Sequence, residues 1–276
     1  MFSEKLDRDE SCDFFAEYEF FNEDFNFVHV YLHKNYKHKI HSHQFYEINL
    51  IVSGEGRHYL ENTNLEAKIG DVFVIPPGVS HGYYSEDALD IYHILIKKEL
   101  FSRYAEELSE VEGFDLLFDI EPQIRQSLGR ELNLNISHAE LASFQNDLEK
   151  MIALKKSGRY IQLNFATMVL ICRLCKRISN SASISKENDI VSVMEYIKAN
   201  LDSKITLETL CERTHMSSAT LNRRFRAAVC QSPMSYVLSA RIARARALIE
   251  EGELRRTEIA QICGFYDLAH MNKYLQ

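Results

Sequence analysis

Residues 41–54 read HSHQFYEINLIVSG, and this stretch decides how the N-terminal half of the chain is interpreted. Strand side chains alternate with a period of two, so His41, His43 and Glu47 are predicted to lie on one side of a single β-strand. Imidazole and carboxylate groups bind divalent metals, and they also line polar ligand pockets. The pattern leaves two interpretations open, the active site of a metalloenzyme or the pocket of a ligand sensor.

The sequence around this stretch is strand-like from residue 27 to residue 97. Turn residues separate five short segments rich in Val, Ile, Tyr and Phe: FVHVYLH, FYEINLIVSG, GRHYLEN, DVFVIPPG and LDIYHILIK. Regular short strands predict a small antiparallel barrel or sandwich over 1–97. From residue 98 to 179 the apolar period becomes helical, and the polar stretch NSASISKEN at 180–188 is predicted to be an interdomain linker.

Composition sets the broad class of the protein. The chain has 276 residues, 46% hydrophobic and 26% charged, which suits two modest globular domains. No apolar stretch is long enough to cross a bilayer, and the acidic N-terminus lacks a signal-peptide pattern, so we expect a cytoplasmic protein without a membrane partner. The six scattered cysteines fit reduced thiols.

Charge is distributed unevenly along the chain. The net charge is −8, but residues 188–276 hold 12 basic against 10 acidic residues, whereas the preceding residues hold 20 against 30. This part of the sequence contains two short helices around a turn, in which Thr206 is a good N-cap and the second helix presents Asn222, Arg223 and Arg226. A long helix and a second such unit with Ala269, His270 and Lys273 follow. This layout predicts two helix-turn-helix units that enter successive major grooves.

The segment 189–276 resembles the DNA-binding domain of the AraC family of bacterial transcription regulators. The matching motifs are L-x-x-L-x-x-x-x-x-M-S at 207–217, L-x-R-x-F at 221–225, R-I-x-x-A-x-x-L-I at 241–249 and I-A-x-I-C-G-F-x-D at 259–267. The resemblance implies that Ala219, Asn222 and Arg223 face bases in the first unit, and that Ala269, His270 and Lys273 do so in the second. Because the family continues into a closing helix, we expect this domain to be truncated at its C-terminus.

The N-terminal half resembles the cupin superfamily, a double-stranded β-helix barrel. The motif HxHxxxE-x6-G is met by His41, His43, Glu47 and Gly54, and G-x5-PxG-xx-H is met from Gly70 to His81. Similar barrels precede AraC-type domains in sugar-responsive regulators of the rhamnose and chitobiose type. The implied set of His41, His43, Glu47 and His81 can hold a divalent transition metal, although no cofactor is required. The alternative is a polar pocket whose walls also include the aromatic side chains of Tyr46, Tyr59 and Tyr83. His58 and His93 are interpreted as structural or surface histidines.

The fold class is therefore multidomain α and β, with a cupin-like barrel, a helical segment and an all-α domain of two helix-turn-helix units. We expect a ligand-responsive transcriptional regulator, not an enzyme, whose effector is a sugar or a related small polar molecule. Its expected partners are double-stranded promoter DNA, the effector, a second copy of the chain and RNA polymerase. We expect the helical segment 98–179 to mediate dimerisation. In its helix at 159–178, an apolar stripe either dimerises or packs internally, formed by Ile161, Phe165, Met168, Cys172 and Cys175. Two alternatives stay open, a metal-dependent isomerase or dioxygenase with a DNA-binding module, and a truncated regulator that blocks intact relatives.

Overall fold

The structure is a computed structural model that describes residues 13–21, 24–36, 38–60, 63–85, 88–128, 134–180, 184–229, 231–252 and 254–275. The chain divides into two compact units, Met1–Ser181 and Ala182–Gln276. The first unit contains strands followed by helices, and the second contains helices. The predicted fold class is confirmed, because the β-rich unit precedes a helical unit with two helix-turn-helix pairs.

The described strands of the first unit form two sheets that build the barrel. The strands are β1 (Asp13–Phe15), β2 (Val28–His33), β3 (His38–His43), β4 (Tyr46–Ser53), β5 (Glu55–Leu60), β6 (Thr63–Lys68), β7 (Val72–Ile75), β8 (His81–Tyr84) and β9 (Asp90–Ile96). One sheet has the order β1-β3-β8-β5-β6, and the other has the order β2-β9-β4-β7. Every pairing is antiparallel except that of β1 with β3. Alternation places every second side chain of these strands inside the barrel.

Helices follow the barrel and cover part of its outer surface. They are α1 (Lys98–Arg103), α2 (Ala105–Ser109), a π-helical turn (Leu116–Ile120), α3 (Glu121–Leu128), α4 (His138–Lys156) and α5 (Tyr160–Ser179). Both α4 and α5 pack against β2, and they also pack against each other. The ion pair between Arg173 of α5 and Asp147 of α4 joins the two helices. The side chains of Val28 and Val30 on the outer face of β2 are thereby buried.

The second unit consists of six helices in the part that the structure describes. They are α6 (Ile184–Ala199), α7 (Leu207–Thr214), α8 (Ser218–Val229), α9 (Pro233–Glu251), α10 (Arg256–Ile262) and α11 (Leu268–Leu275). Thr206 caps α7 as predicted, since its Oγ1 accepts a hydrogen bond from the Thr209 amide at 3.2 Å. Leu221 and Phe225 of α8 are fully buried, and the core of the second helix pair includes Ile259 and Met271.

Hydrogen bonds join α9 to the loop between α6 and α7. The guanidinium of Arg241 in α9 donates to the carbonyl oxygens of Leu201 at 3.0 Å and Ser203 at 2.7 Å. The turn between α10 and α11 lies against the same loop, since a Cβ on Gly264 would lie 2.0 Å from the Leu201 oxygen. The backbone of Gly264 is also left-handed, with a φ of 71°. Only glycine fits at this position without displacement.

The structure corrects three details of the sequence analysis. His41 and His43 end β3, whereas Glu47 belongs to β4 in the other sheet, so the three side chains do not share one strand. The bend at 44–45 between these strands interrupts the predicted alternation. Of the linker predicted at 180–188, residues 181–183 lie outside the described part of the chain, and residues 184–188 belong to α6, the helix that also carries the buried Ile190 and Val191. The helical stretch after residue 98 is also broken at Tyr104, which separates α1 from α2.

Candidate functional site

A cavity of about 310 Å3 lies inside the barrel, between the two sheets. It is lined by Phe15, Phe20, His29, Tyr31, His33, Tyr36, His41, His43, Phe45, Glu47 and Leu95. Its walls are mainly aromatic rings and imidazoles, and Glu47 is the lining residue with a carboxylate. Ligand pockets in proteins have this character, with apolar walls and a few convergent polar groups.

Glu47 is the centre of a buried polar network. Its Oε2 lies 2.9 Å from Nε2 of His43 and 3.1 Å from Nε2 of His81, and its Oε1 lies 2.6 Å from Nδ1 of His93. Burial alone would raise the pKa of the Glu47 carboxyl, but the hydrogen bonds from these histidines hold it well below its usual value. Burial also lowers the pKa of His81, and the nearby carboxylate opposes that shift. The pocket therefore holds an ionised carboxylate surrounded by imidazoles.

The donor set fits a divalent transition metal. Nδ1 of His43 lies 2.7 Å from the Phe45 carbonyl oxygen and donates a hydrogen bond to it, which leaves Nε2 directed at the Glu47 carboxylate. A cation between Nε2 and the carboxylate would be bound by both groups, which lie 2.9 Å apart. The ligand atoms of His41, Glu47 and His81 also lie within 4.8 Å of one another. A histidine anchored through its other nitrogen is typical of metal sites.

The structure places the remaining predicted pocket residues differently. His81 is buried beside Glu47 and does not line the cavity itself. Tyr46 points out of the barrel and packs on Phe101 and Phe118, because its neighbour Glu47 points inward and strand side chains alternate. The structure therefore places Tyr46 away from the cavity that was predicted to hold the ligand.

Tyr59 and Tyr83 also lie outside the cavity lining. Tyr59 is half-buried and alternates with His58, which is fully buried. Tyr83 points inward but packs deeper in the barrel, where its ring stacks on His58 and its hydroxyl accepts a hydrogen bond from Asn49 at 3.1 Å. Neither tyrosine is among the residues that line this cavity, and their contact with a ligand stays a prediction.

Several pocket residues were missed by the sequence analysis. His93, interpreted as structural or surface, is buried and bonds Glu47, and its ring stacks on Tyr31 at 4.9 Å. His29 lines the cavity, and its Nε2 lies 2.6 Å from Nζ of Lys155 in α4. The alternation of His29, Tyr31 and His33 in FVHVYLH was a usable signal, because three polar rings at a spacing of two share one strand face.

The second unit presents the predicted DNA-binding side chains on its two recognition helices. In α8, Ala219, Arg223 and Arg226 are exposed, and half-buried Asn222 donates to the Ser218 carbonyl. The predicted residues of α11 follow the same pattern, with Ala269 and Lys273 exposed and His270 half-buried. Both sets occupy the faces opposite the buried residues, as a major-groove contact requires. Their individual roles at bases stay predictions.

No helix in the described part of the chain has the length and apolar character needed to cross a membrane. Residues 27–155 match the AraC-like ligand binding domain, and residues 210–276 match a helix-turn-helix domain. The HTH-type transcriptional activator RhaR of Enterobacter sp. (strain 638) is 23% identical over 229 residues, which cover 82% of this chain and 79% of that protein. RhaR of Escherichia coli (strain K12) is 23% identical over 228 residues with the same coverage.

Two solved structures are also similar. ToxT from Vibrio cholerae O395, bound to (E)-4-(8-methylnaphthalen-1-yl)but-3-enoic acid, is 14% identical, with 90% of this chain and 94% of ToxT covered and a TM-score of 0.36. A probable AraC family transcriptional regulator from Rhodopseudomonas palustris CGA009 is 32% identical, with 32% of this chain and 83% of that chain covered and a TM-score of 0.30.

The barrel with its cavity and the two helix-turn-helix units define a transcriptional regulator that combines a ligand-binding domain with a DNA-binding domain. The relatives are regulators rather than enzymes, so the alternative of a cupin isomerase or dioxygenase is not supported. The chain belongs to the AraC family of transcriptional regulators.

Proposed function

We propose that the protein regulates promoters in response to a small polar effector, such as a sugar, that binds in the barrel cavity. The supporting observation is the cavity itself, which joins the Glu47–histidine network to aromatic walls. Sugars present hydroxyl groups for such a network and apolar faces for aromatic rings. A volume of about 310 Å3 lies at the small end of ligand pockets and favours an effector of monosaccharide size.

A divalent transition metal is a second candidate occupant of the Glu47 network. His41, Glu47 and His81 would hold it, and His43 would complete the set from its position beside the carboxylate. Such a metal would polarise an oxygen of the effector and strengthen its binding. Elemental analysis of the purified protein, with the His43→Ala variant as comparison, tests this proposal, which fails if both proteins are equally free of metal after incubation with Zn2+ or Mn2+.

Contacts between the pocket walls and α4 give the effector a route to the helical segment. Lys155 of α4 contacts His29 of β2, and Glu149 of α4 accepts a hydrogen bond from the hydroxyl of Tyr92 in β9. Both strands also carry residues that line the cavity or bond Glu47. We propose that an effector favours one arrangement of α4 over another, because only a difference in affinity between two states can shift their populations.

We further propose that α5 forms a homodimer through an apolar stripe that faces away from the barrel. Ile161, Phe165 and Val169 are 56%, 54% and 63% exposed, and the exposed Cys172 continues the row. The opposite face of α5, which includes Leu163, Leu170 and Leu174, is buried within the unit. A dimer would place two pairs of recognition helices on one promoter. RNA polymerase is a further proposed partner there, and the proposed location is the cytoplasm.

A thermal-shift screen against a panel of sugars tests the proposed effector. A ligand at 100 times its dissociation constant stabilises the protein by about 2.7 kcal/mol, so a true effector raises the melting temperature measurably. The His43→Ala variant should lose the shift, whereas Tyr46→Phe should keep it because Tyr46 points away from the cavity. A sugar that shifts wild type and His43→Ala equally would refute binding in this pocket.

DNA binding provides the second readout of the same screen. A sugar that shifts the melting temperature should also change the affinity of the full chain for promoter DNA selected from a random-sequence pool. If it binds the cavity but leaves DNA affinity unchanged, the barrel binds a ligand without regulating DNA binding, and the proposed coupling fails.

A further inference from the structure

The turn between α10 and α11 presents an aromatic side chain that none of the contacts described so far explains. Tyr266 is 92% exposed, and it lies between Phe265, which is buried in the core, and Asp267, which caps α11. The Asp267 carboxylate accepts a hydrogen bond from the His270 amide at 2.7 Å. The backbone on both sides of Tyr266 is therefore anchored, while its ring points into solvent.

Counted from its left-handed residue to the start of the next helix, the corresponding turn of the first helix pair is one residue shorter. Each turn begins at a left-handed residue, His215 with a φ of 52° and Gly264 with a φ of 71°. The buried residue that anchors the next helix is six positions later in the first pair, at Leu221, and seven positions later in the second, at Met271. The second turn thus has one more residue than the first, and Tyr266 projects from this longer turn.

Tyr266 lies on the side of α11 that carries the predicted DNA-facing residues. Its backbone amide donates to Nδ1 of His270 at 3.4 Å, which places the two residues side by side. Ala269 and Lys273 are exposed beyond them, at spacings of three and seven from Tyr266. The exposed residues Tyr266, Ala269 and Lys273 therefore begin at the N-terminal end of α11. Recognition helices contact base edges with their N-terminal residues.

We propose that Tyr266 is a further specificity-determining residue of the DNA contact, at the leading edge of the second recognition helix. The ring would pack on the 5-methyl group of a thymine, which is the apolar feature that the major groove offers. The hydroxyl would donate to a neighbouring phosphate, a contact that positions the helix without reading sequence. The inference rests on the DNA-binding role of α11.

Selection from a pool of random-sequence duplexes tests the proposal with the full chain. Tyr266→Ala should lose the preference for thymine at one position and bind the wild-type sequence about 5- to 150-fold more weakly. Tyr266→Phe keeps the ring, so it should keep the preference and lose about 2- to 10-fold affinity for all sequences. Tyr18→Ala is the matched control, because Tyr18 is an exposed tyrosine of the first unit, 77% accessible.

The outcomes separate this proposal from the role of α11 as a whole. Lys273→Ala should weaken binding in the same assay, and if neither Lys273→Ala nor Tyr266→Ala changes affinity or preference, α11 does not contact DNA. If Lys273→Ala weakens binding but Tyr266→Ala selects the wild-type sequences with wild-type affinity, only the role of Tyr266 is refuted. Uniform weakening of all sequences by Tyr266→Ala would also overturn it, because the residue would then read no base.

Discussion

Replacing Gly264 by alanine should destabilise the second helix-turn-helix pair far more than the same change at Gly252. Both glycines belong to the second unit and both have left-handed backbones, with φ values of 71° and 73°. A Cβ at Gly252 meets nothing within 4 Å, whereas at Gly264 it lies 2.0 Å from the Leu201 oxygen and 2.7 Å from a guanidinium nitrogen of Arg241. The pair of variants therefore separates backbone strain from steric conflict.

The expected magnitudes follow from these contacts. A non-glycine residue in the left-handed region costs about 1–2 kcal/mol, and this is the whole expected effect at Gly252. At Gly264 the added atom is more than 1 Å inside an ordinary contact of about 3.5 Å, so the Leu201 loop must move. That movement breaks at least one hydrogen bond of Arg241, which contributes about 1.5–3 kcal/mol because the donor is charged. We expect a total loss of about 3–5 kcal/mol for Gly264→Ala.

Hydrogen exchange measured by mass spectrometry is the appropriate assay, because the chain has two units and a single unfolding transition is not assured. Amides of α10 and α11 should exchange much faster in Gly264→Ala than in Gly252→Ala, with the barrel strands unchanged in both. Equal protection in the two variants would refute the steric argument. The affinity for selected DNA should fall in Gly264→Ala, since α11 is then less often folded.

Three further predictions concern the DNA surface, the dimer and the pocket wall. Arg223→Ala should cost about 1–3 kcal/mol of DNA affinity and relax preference at one base pair, measured by titration of selected and mutated duplexes; equal weakening of all duplexes would indicate a phosphate contact instead. Phe165→Glu should convert the dimer to a folded monomer in sedimentation velocity, and an unchanged dimer would exclude the α5 stripe as the interface. Burial, assisted by Lys155, lowers the pKa of His29 to about 4, so the unfolded chain binds more protons between pH 6.5 and 4. Protonation of His29 in the unfolded chain should therefore lower the free energy of unfolding of the barrel as pH falls through that range. Over the same range, His29→Gln should show a smaller fall in urea midpoint than the exposed control His138→Gln.

Local pattern predicted much of the fold. The segments FYEINLIVSG and LDIYHILIK correspond to β4 and β9, and the helix predicted at 159–178 corresponds to α5 to within one residue at each end. Strands β1, β6 and β8 were not singled out, because each carries few of the β-branched residues on which the signal depends, and β3 was merged with β4 into one predicted strand. The two apolar faces of α5 were merged into one stripe, since sequence spacing alone does not say which face is covered.

The pocket was predictable only in part. His41, His43 and Glu47 do converge, but they do so across two sheets, because the bend before β4 turns the chain from one sheet into the other. His93 could not be placed beside Glu47 from sequence, since the two are 46 residues apart and meet only through the pairing of β4 with β9. Tyr46, Tyr59 and Tyr83 were favoured for their chemistry, and strand alternation and depth within the barrel then placed them elsewhere.

Tyr92 and His93 are neighbours on β9 that point in opposite directions, one to Glu149 of α4 and the other to Glu47. Only the backbone of β9 thus separates the Glu47 network inside the barrel from α4 on its outside. Genetic selection for regulators that act without effector should accordingly return substitutions at Tyr92 and Glu149, although neither residue touches the cavity. Such alleles would imitate ligand occupancy from outside the barrel, and the affinity for the effector would change together with basal transcription.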